Sequence, residues 1–195
     1  MATLLHNVGG LAHARGAFVE GIPSARAGLA LRERIAPTDH RAIGADCGAL
    51  AGLLEGAGDL DGAELHYSRA ITLLDACGAR HEAAIARNGL GSVRQSRGRY
   101  AEAGALYEQA SADLRSVHGA DHPALVPVLN NQATLHRRLG QDDEARALLA
   151  AALELAERRL GANHPLTREI ADNKARVDAR PSPYLVDEPG EARSP

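Results

Sequence analysis

The sequence holds no tryptophan, one phenylalanine and four tyrosines among its 195 residues, so it lacks the aromatic platforms on which single-stranded nucleic acid stacks. A formal net charge of −3 and a pI near 6.3 withhold any general attraction to phosphate backbones, which argues against nucleic acid as a partner. Lys174 is the single lysine. With arginine carrying nearly all the positive charge, and with Ala and Gly abundant, the bias reads as a GC-rich coding sequence rather than phosphate recognition. No apolar run approaches the ~18 residues of a membrane span. The opening stretch ends in Ala12-His13-Ala14, an imitation of a signal-cleavage site, but no Lys or Arg precedes it and His6 and Asn7 interrupt its apolar run. Only two cysteines occur, Cys47 and Cys77, without metal-ligand spacing, and they are expected as reduced thiols filling core gaps. Nothing matches a phosphate loop, a nucleophile elbow or a metalloprotease motif. These absences lead to the expectation of a cytoplasmic, non-enzymatic chain with no catalytic residue, no cofactor and no metal.

What is present is repetition. Gly16, Gly58, Gly98 and Gly140 lie 42, 40 and 42 residues apart. Seven residues before each stands Gly9, Ala51, Gly91 or Ala133; five after, Gly21, Ala63, Ala103 or Ala145; twelve after, Gly28, Ala70, Ala110 or Ala152. A side chain no larger than methyl lets two helix backbones approach, so this is a packing repeat. Leu11, Leu53, Val93 and Leu135 recur five residues before the glycines, and other apolar residues fall at helical spacing on both sides. Each unit therefore predicts helix, glycine turn, helix. Asp121-His122-Pro123 and Asn163-His164-Pro165 predict a polar cap ahead of a first-turn proline, with Gly119 and Gly161 ending the preceding helices in the αL conformation.

Leu129-Asn130-Asn131-Gln132-Ala133, Leu139-Gly140, Asp143-Glu144-Ala145-Arg146-Ala147 and Leu160-Gly161-Ala162-Asn163-His164-Pro165 together resemble the tetratricopeptide repeat in its roughly 42-residue kinesin-light-chain form. Arg97-Gly98-Arg99-Tyr100-Ala101-Glu102-Ala103 with His118 to Pro123 is a second close match, while the first two units are looser. The resemblance implies an all-α, right-handed α-solenoid of antiparallel hairpins: repeats at 1–40, 41–81, 82–122 and 123–163, and a capping helix at 164–177. Residues 178–195, rich in proline, read as a disordered tail with a short Tyr184-Leu185-Val186 segment. Repeat two is two residues short near Gly78, which predicts a tighter exit loop.

The first helices of such units line a concave groove, and the positions ten, six and three before each glycine should face it. They are His6, Gly10 and His13; Gly48, Gly52 and Glu55; Asn88, Ser92 and Gln95; Asn130, Thr134 and Arg137. Glycines admit a ligand backbone, and the amides of Asn88 and Asn130 both donate and accept. The resemblance also implies that these asparagines face a peptide, although Arg87-Asn88-Gly89 departs from the Leu-Asn-Asn pattern. Arg94, Arg97, Arg99, Arg137 and Arg138 are expected on one edge, with Arg94 and Arg137 placed to hold a ligand carboxylate bidentately. His40, His81, His122 and His164 recur once per unit and are expected to cap helices a full unit apart. The first helix has no capped lead-in over Leu4, Leu5 and Val8, which opens a second expectation, a homodimer, partner or regulatory contact through that face, beside the alternative that the chain is the C-terminal part of a longer multidomain relative. A third, an enzyme using His6, His13, Glu55 or Arg94, meets the difficulty that an open groove excludes water poorly.

Overall fold

The computed structural model describes residues 1–179, so the tail expected at 178–195 lies almost wholly outside the described residues. Nine helices are described: α1 (Ala2–Ala14), α2 (Phe18–Ile35), α3 (His40–Gly56), α4 (Leu60–Ala76), α5 (Arg80–Ser96), α6 (Tyr100–His118), α7 (Leu125–Arg138), α8 (Asp142–Arg159) and α9 (Pro165–Asp178). Each packs on the next in sequence. In addition α1 packs on α3, α3 on α5, α5 on α7 and α7 on α9, whereas among the described residues the backbones of the second helices of successive units stay apart, α2 and α4 being bridged only by long side chains such as the Arg69–Glu33 ion pair. Helices that touch lie on the inner radius of a stack and helices that spread lie on the outer, so α1, α3, α5 and α7 form the concave layer of an α-solenoid.

The glycine turns act through backbone geometry. Gly16, Gly58, Gly98 and Gly140 have φ of 70°, 85°, 74° and 77°, a region in which a side chain is strained. At each, the next residue's N–H reaches back to a helix carbonyl, as Asp59 does to Leu54 at 2.9 Å and Arg99 to Arg94 at 2.9 Å, which closes the helix end by a Schellman-type bond. All twelve repeated small residues are buried. Where a Cβ is built on Gly21 it would stand 2.7 Å from the Ala12 methyl, so a larger residue would force α1 and α2 apart.

Between units the helix starts agree with expectation at α9 and depart from it at α7. Pro165 opens α9 and the His164 ring caps it, its Nδ1 accepting from Leu166 N–H at 3.2 Å. α7 begins only at Leu125, two residues after Pro123, with His122 Nδ1 accepting from Ala124 N–H at 3.2 Å. Asp121 is not a cap: it pairs with Arg158 at 2.8 Å and with Arg159 on α8. Gly119 has φ 82° and ψ 174°, outside αL. Repeat two does exit through a shorter link, Cys77 to Ala79, than the Gly119 to Ala124 link of repeat three. Cys47 is buried and its thiol is pushed up to about 11 by burial, but Cys77 is exposed at the end of α4 and fills no core gap.

Two apolar clusters meet in the third unit. One joins α2 to α5 around Leu50, Leu53, Leu54 and Leu74; the other joins α5 to α9 around Tyr107, Leu114, Val126 and Ile170. Each such fully buried side chain contributes roughly 1.5–3 kcal/mol relative to exposure.

Candidate functional site

A cavity of roughly 530 Å³ opens on the concave layer, spanning α1, α3, α5 and the edge of α7. Its floor is α3, where Gly44, Ala45, Gly48, Ala49 and Gly52 present no side chain beyond a methyl. A Cβ on Gly48 or Gly10 would meet nothing within 4 Å, so the missing side chains leave open space rather than a helix contact. Tyr67, Leu74, Ile85 and Ala86 supply apolar wall, and Ile85 is 52% exposed into it. His13, Glu55, Asn88, Ser92 and Asn131 add the polar rim.

The expected groove residues divide three ways. His13, Glu55, Asn88 and Ser92 line the cavity together with Gly10, Gly48 and Gly52. Thr134 and Arg137 border a smaller cleft with Asn173 and Val177, between α7 and α9. His6, Gln95, Asn130 and Arg94 line neither, because each is held by another side chain. His6 Nδ1 lies 2.7 Å from Asp46 Oδ1. Gln95 Oε1 accepts from Tyr107 Oη–H at 3.1 Å. Asn130 is only 7% exposed; its Oδ1 accepts from Asn173 at 3.0 Å and its Nδ2 donates to Glu169 at 3.4 Å. The α9 cap thus covers the amide that was expected to meet a peptide. Asn88 remains on the cavity, where its Oδ1 accepts from Asn131 Nδ2 at 3.0 Å and its own Nδ2 is left to donate.

The arginines of the third unit's turn are neutralised by neighbouring acids. Arg94 pairs with Glu64 at 2.8 Å, Arg97 pairs with Glu64 at 2.8 Å and with Asp61, and Arg99 binds Glu102 at 2.6 Å. The acids of the second unit's turn meet the arginines of the third, since stacking sets equivalent turns side by side. Arg94 is therefore not a free carboxylate clamp. Arg137 forms no ion pair among the described residues.

Of the loop histidines, His164 and His122 accept backbone N–H groups as expected, whereas Asp39 caps α3 in place of His40 and His81 caps nothing. Although His81 and His122 are a unit apart in sequence, their ring centroids lie 5.9 Å apart, and His118 intervenes, 2.9 Å from His81 by ring nitrogens and stacked on His122 at 4.0 Å. Stacked rings hold their nitrogens parallel rather than convergent, and among the described residues no group of three or more His, Cys, Asp or Glu is disposed to hold a metal ion.

Several site residues escaped the sequence pattern. Tyr67 donates to Glu55 Oε2 at 3.0 Å, and its ring lies where a Cβ on Gly89 would come within 2.2 Å, which explains why Asn88 is followed by glycine rather than a second asparagine. Burial and the Glu55 carboxylate both raise the Tyr67 hydroxyl far above its usual range, so it stays a donor. The signal was in the spacing: Tyr67 and Tyr107 each follow a turn glycine by nine residues. Asp46, 4% exposed, is bound by His6 and by the Arg32 side chain, whose own proton affinity that hydrogen bond raises. No short-range pattern marked Asp46, Arg32 or Glu64.

Comparison with known proteins agrees with this geometry. The tetratricopeptide repeat family profile matches residues 82–150 and 127–181, which together run over just more than half of the chain. Among curated proteins, the clustered mitochondria protein homolog of Meyerozyma guilliermondii is 39% identical over 71 residues, 36% of this chain, and the mitochondrial tetratricopeptide repeat protein 19 homolog of Drosophila melanogaster is 34% identical over 73 residues, 37% of this chain. The matched segments amount to only 6% and 20% of those relatives. A solved Podosopora anserina kinesin light chain of nearly identical TPR-like repeats is similar with a TM-score of 0.69 at 19% identity, over 90% of this chain and 84% of that one. BtubC (BKLC) from P. vanneervenii scores 0.67 at 17% identity, covering 92% and 84%, and the apo form of RapI scores 0.70 at 12% identity, covering 89% and 66%. The chain belongs to the tetratricopeptide repeat family, and its fold is similar to that of the kinesin light chain repeats.

Proposed function

We propose that this chain is a non-enzymatic interaction module of the cytoplasm that holds an extended segment of a peptide or protein partner in the concave groove. The tetratricopeptide fold is in general a protein-interaction scaffold, and the observation that carries the groove reading is the open space over Gly48 and Gly10, bordered by the amides of Asn88 and Asn131. Helix surfaces that close only on themselves have no need of a glycine whose side-chain position faces nothing. Ser92, His13 and the Asn88 Nδ2 supply hydrogen bonds to a ligand main chain, and Arg137 meets a carboxylate further along. Neither nucleic acid nor a membrane surface is part of this reading. No helix among the described residues is long and apolar enough to cross a membrane.

Gly48→Leu tests it. Leucine is a stronger helix former than glycine by about 0.5–1 kcal/mol, and its side chain enters empty space, so the variant should melt no lower than the parent. In a pull-down from the source cells it should lose the partners that the parent retains, and retention of every one would overturn the groove reading.

A second reading, self-association through α1, is favoured by one observation: Met1, Leu4, Val8 and Leu11 are 83%, 59%, 43% and 52% exposed. Leu5 does not belong to that face, since it packs over Gly28, where a Cβ would stand 3.1 Å from its own. Sedimentation of the parent and of Leu4→Glu over a range of concentrations separates a dimer through α1 from a monomer.

A further inference from the structure

The charge on the groove wall goes further than a general peptide site. Two carboxylates line the cavity, Glu55 and Glu82, and no lysine or arginine does. Glu82 is neutralised: burial alone would raise its proton affinity, but the Arg41 Nε hydrogen bond at 2.8 Å outweighs that and holds the carboxyl below its usual range. Glu55 has only the neutral Tyr67 hydroxyl, 3.0 Å from Oε2, and forms no ion pair among the described residues. A half-buried carboxylate on an apolar wall without a cation is the strongest unbalanced charge of the site, because low-polarity surroundings weaken screening. Two turns along α3 from it, Gly48 faces open space, the same cavity is lined by Tyr67, Leu74 and Ile85, and the 530 Å³ volume lies within the range of small-ligand pockets, enough for one large side chain with its main chain.

We propose that the groove selects a segment with a bulky apolar side chain seated over Gly48 and a lysine or arginine paired with Glu55, and that it rejects acidic residues at that place. This rests on the groove reading and deepens it. The same row of the solenoid runs from His13 and Glu55, both on the cavity, through neutral Gln95 to Arg137, which borders the smaller cleft between α7 and α9. A ligand that continues from the cavity into that cleft therefore has its charge ordered: cation toward α3, anion toward α7. Two steps between packed helices of about 8–10 Å each set those charges roughly five or six extended residues apart.

The test uses the full chain and fluorescein-labelled decapeptides on a neutral Ala/Ser background. Phenylalanine is fixed at the centre and arginine, alanine or glutamate is stepped through the remaining positions, with binding read by fluorescence polarisation. At the best position arginine should bind at least tenfold tighter than glutamate, and replacing the phenylalanine by alanine should cost a similar factor. Glu55→Gln should erase the arginine preference and Glu55→Arg should reverse it. Equal binding of arginine and glutamate peptides, or a preference that survives Glu55→Gln, overturns the charge assignment. If the peptides then still lose binding to Gly48→Leu, the groove reading stands without it. Indifference of all peptides to Gly48→Leu, or no binding of any peptide, overturns both.

Discussion

The two ends of the stack bear the same kind of helix and treat it oppositely. At one end α9 turns Ile170 and Val177 inward, 0% and 1% exposed, and shows Arg168, Asp172 and Arg176 to solvent. At the other, α1 leaves Leu4, Val8 and Leu11 uncovered on its outer side. Leu11 stands at the repeat position of Leu53, Val93 and Leu135, which are 0%, 0% and 5% exposed, while Leu11 is 52% exposed. An identical place in the repeat thus has an opposite fate, because in a solenoid a residue is buried by the neighbouring unit and not by its own hairpin. What ties α1 down instead is close packing at Gly9, Gly21 and Gly28 and a charged lock, His6 with Asp46 and Arg32.

The largest expected effect breaks the well-covered end. Ile170→Ala should cost about 2–5 kcal/mol in urea unfolding, through lost burial and a residual cavity, while Leu11→Ala should stay within about 0.5 kcal/mol. Equal losses would mean that the two ends are not energetically distinct.

Next, Asp46→Asn leaves Arg32 without its anion. The cost should be about 2–3 kcal/mol, below that of a fully buried pair because the guanidinium keeps 15% exposure. Hydrogen exchange should rise first in α1 and α2 and leave α7 to α9 protected.

A smaller effect follows from His66 on α4, whose proton affinity is lowered first by burial and then by Arg69 and Arg26. The unfolded chain therefore binds the proton more readily than the fold. The stability contributed by neutral His66 is complete above the ordinary pKa of about 6.5 and falls as pH drops from there toward the depressed folded value. Urea midpoints measured at pH 7.5 and 5.5 should differ less in His66→Gln than in the parent.

Smallest in stability is Leu4→Glu with Val8→Glu, expected within about 0.5 kcal/mol. Its informative readout is association: a dimer that the pair abolishes would make the uncovered end an interface.

Much of the candidate site was legible because its signals are local. The turn glycines, the small-residue positions and the row ten, six and three residues before each glycine all follow from helical periodicity within a single hairpin, and the row does place Gly48, Glu55, Asn88 and Ser92 on the cavity. The same row failed at Asn130, because whether a groove position is open depends on the next unit's residues, here Asn173 and Glu169.

The sequence by itself determined the hairpin, its turn and the close approach of its two helices, since each depends on residues a few turns apart and on the size of one side chain. Only the tertiary structure decided which charges are neutralised. Glu64 on α4 meets Arg94 on α5 and Arg97 in the turn after it, and Asp46 on α3 meets His6 on α1 and Arg32 on α2, so every partner lies outside the carboxylate's own helix. Such pairing depends on the rotation and rise between helices, to which side chains of 5–6 Å reach are sensitive at the scale of one rotamer. That is also why Glu55 was one candidate among several in the sequence, and only the fold shows that it lines the cavity without an arginine or lysine partner among the described residues.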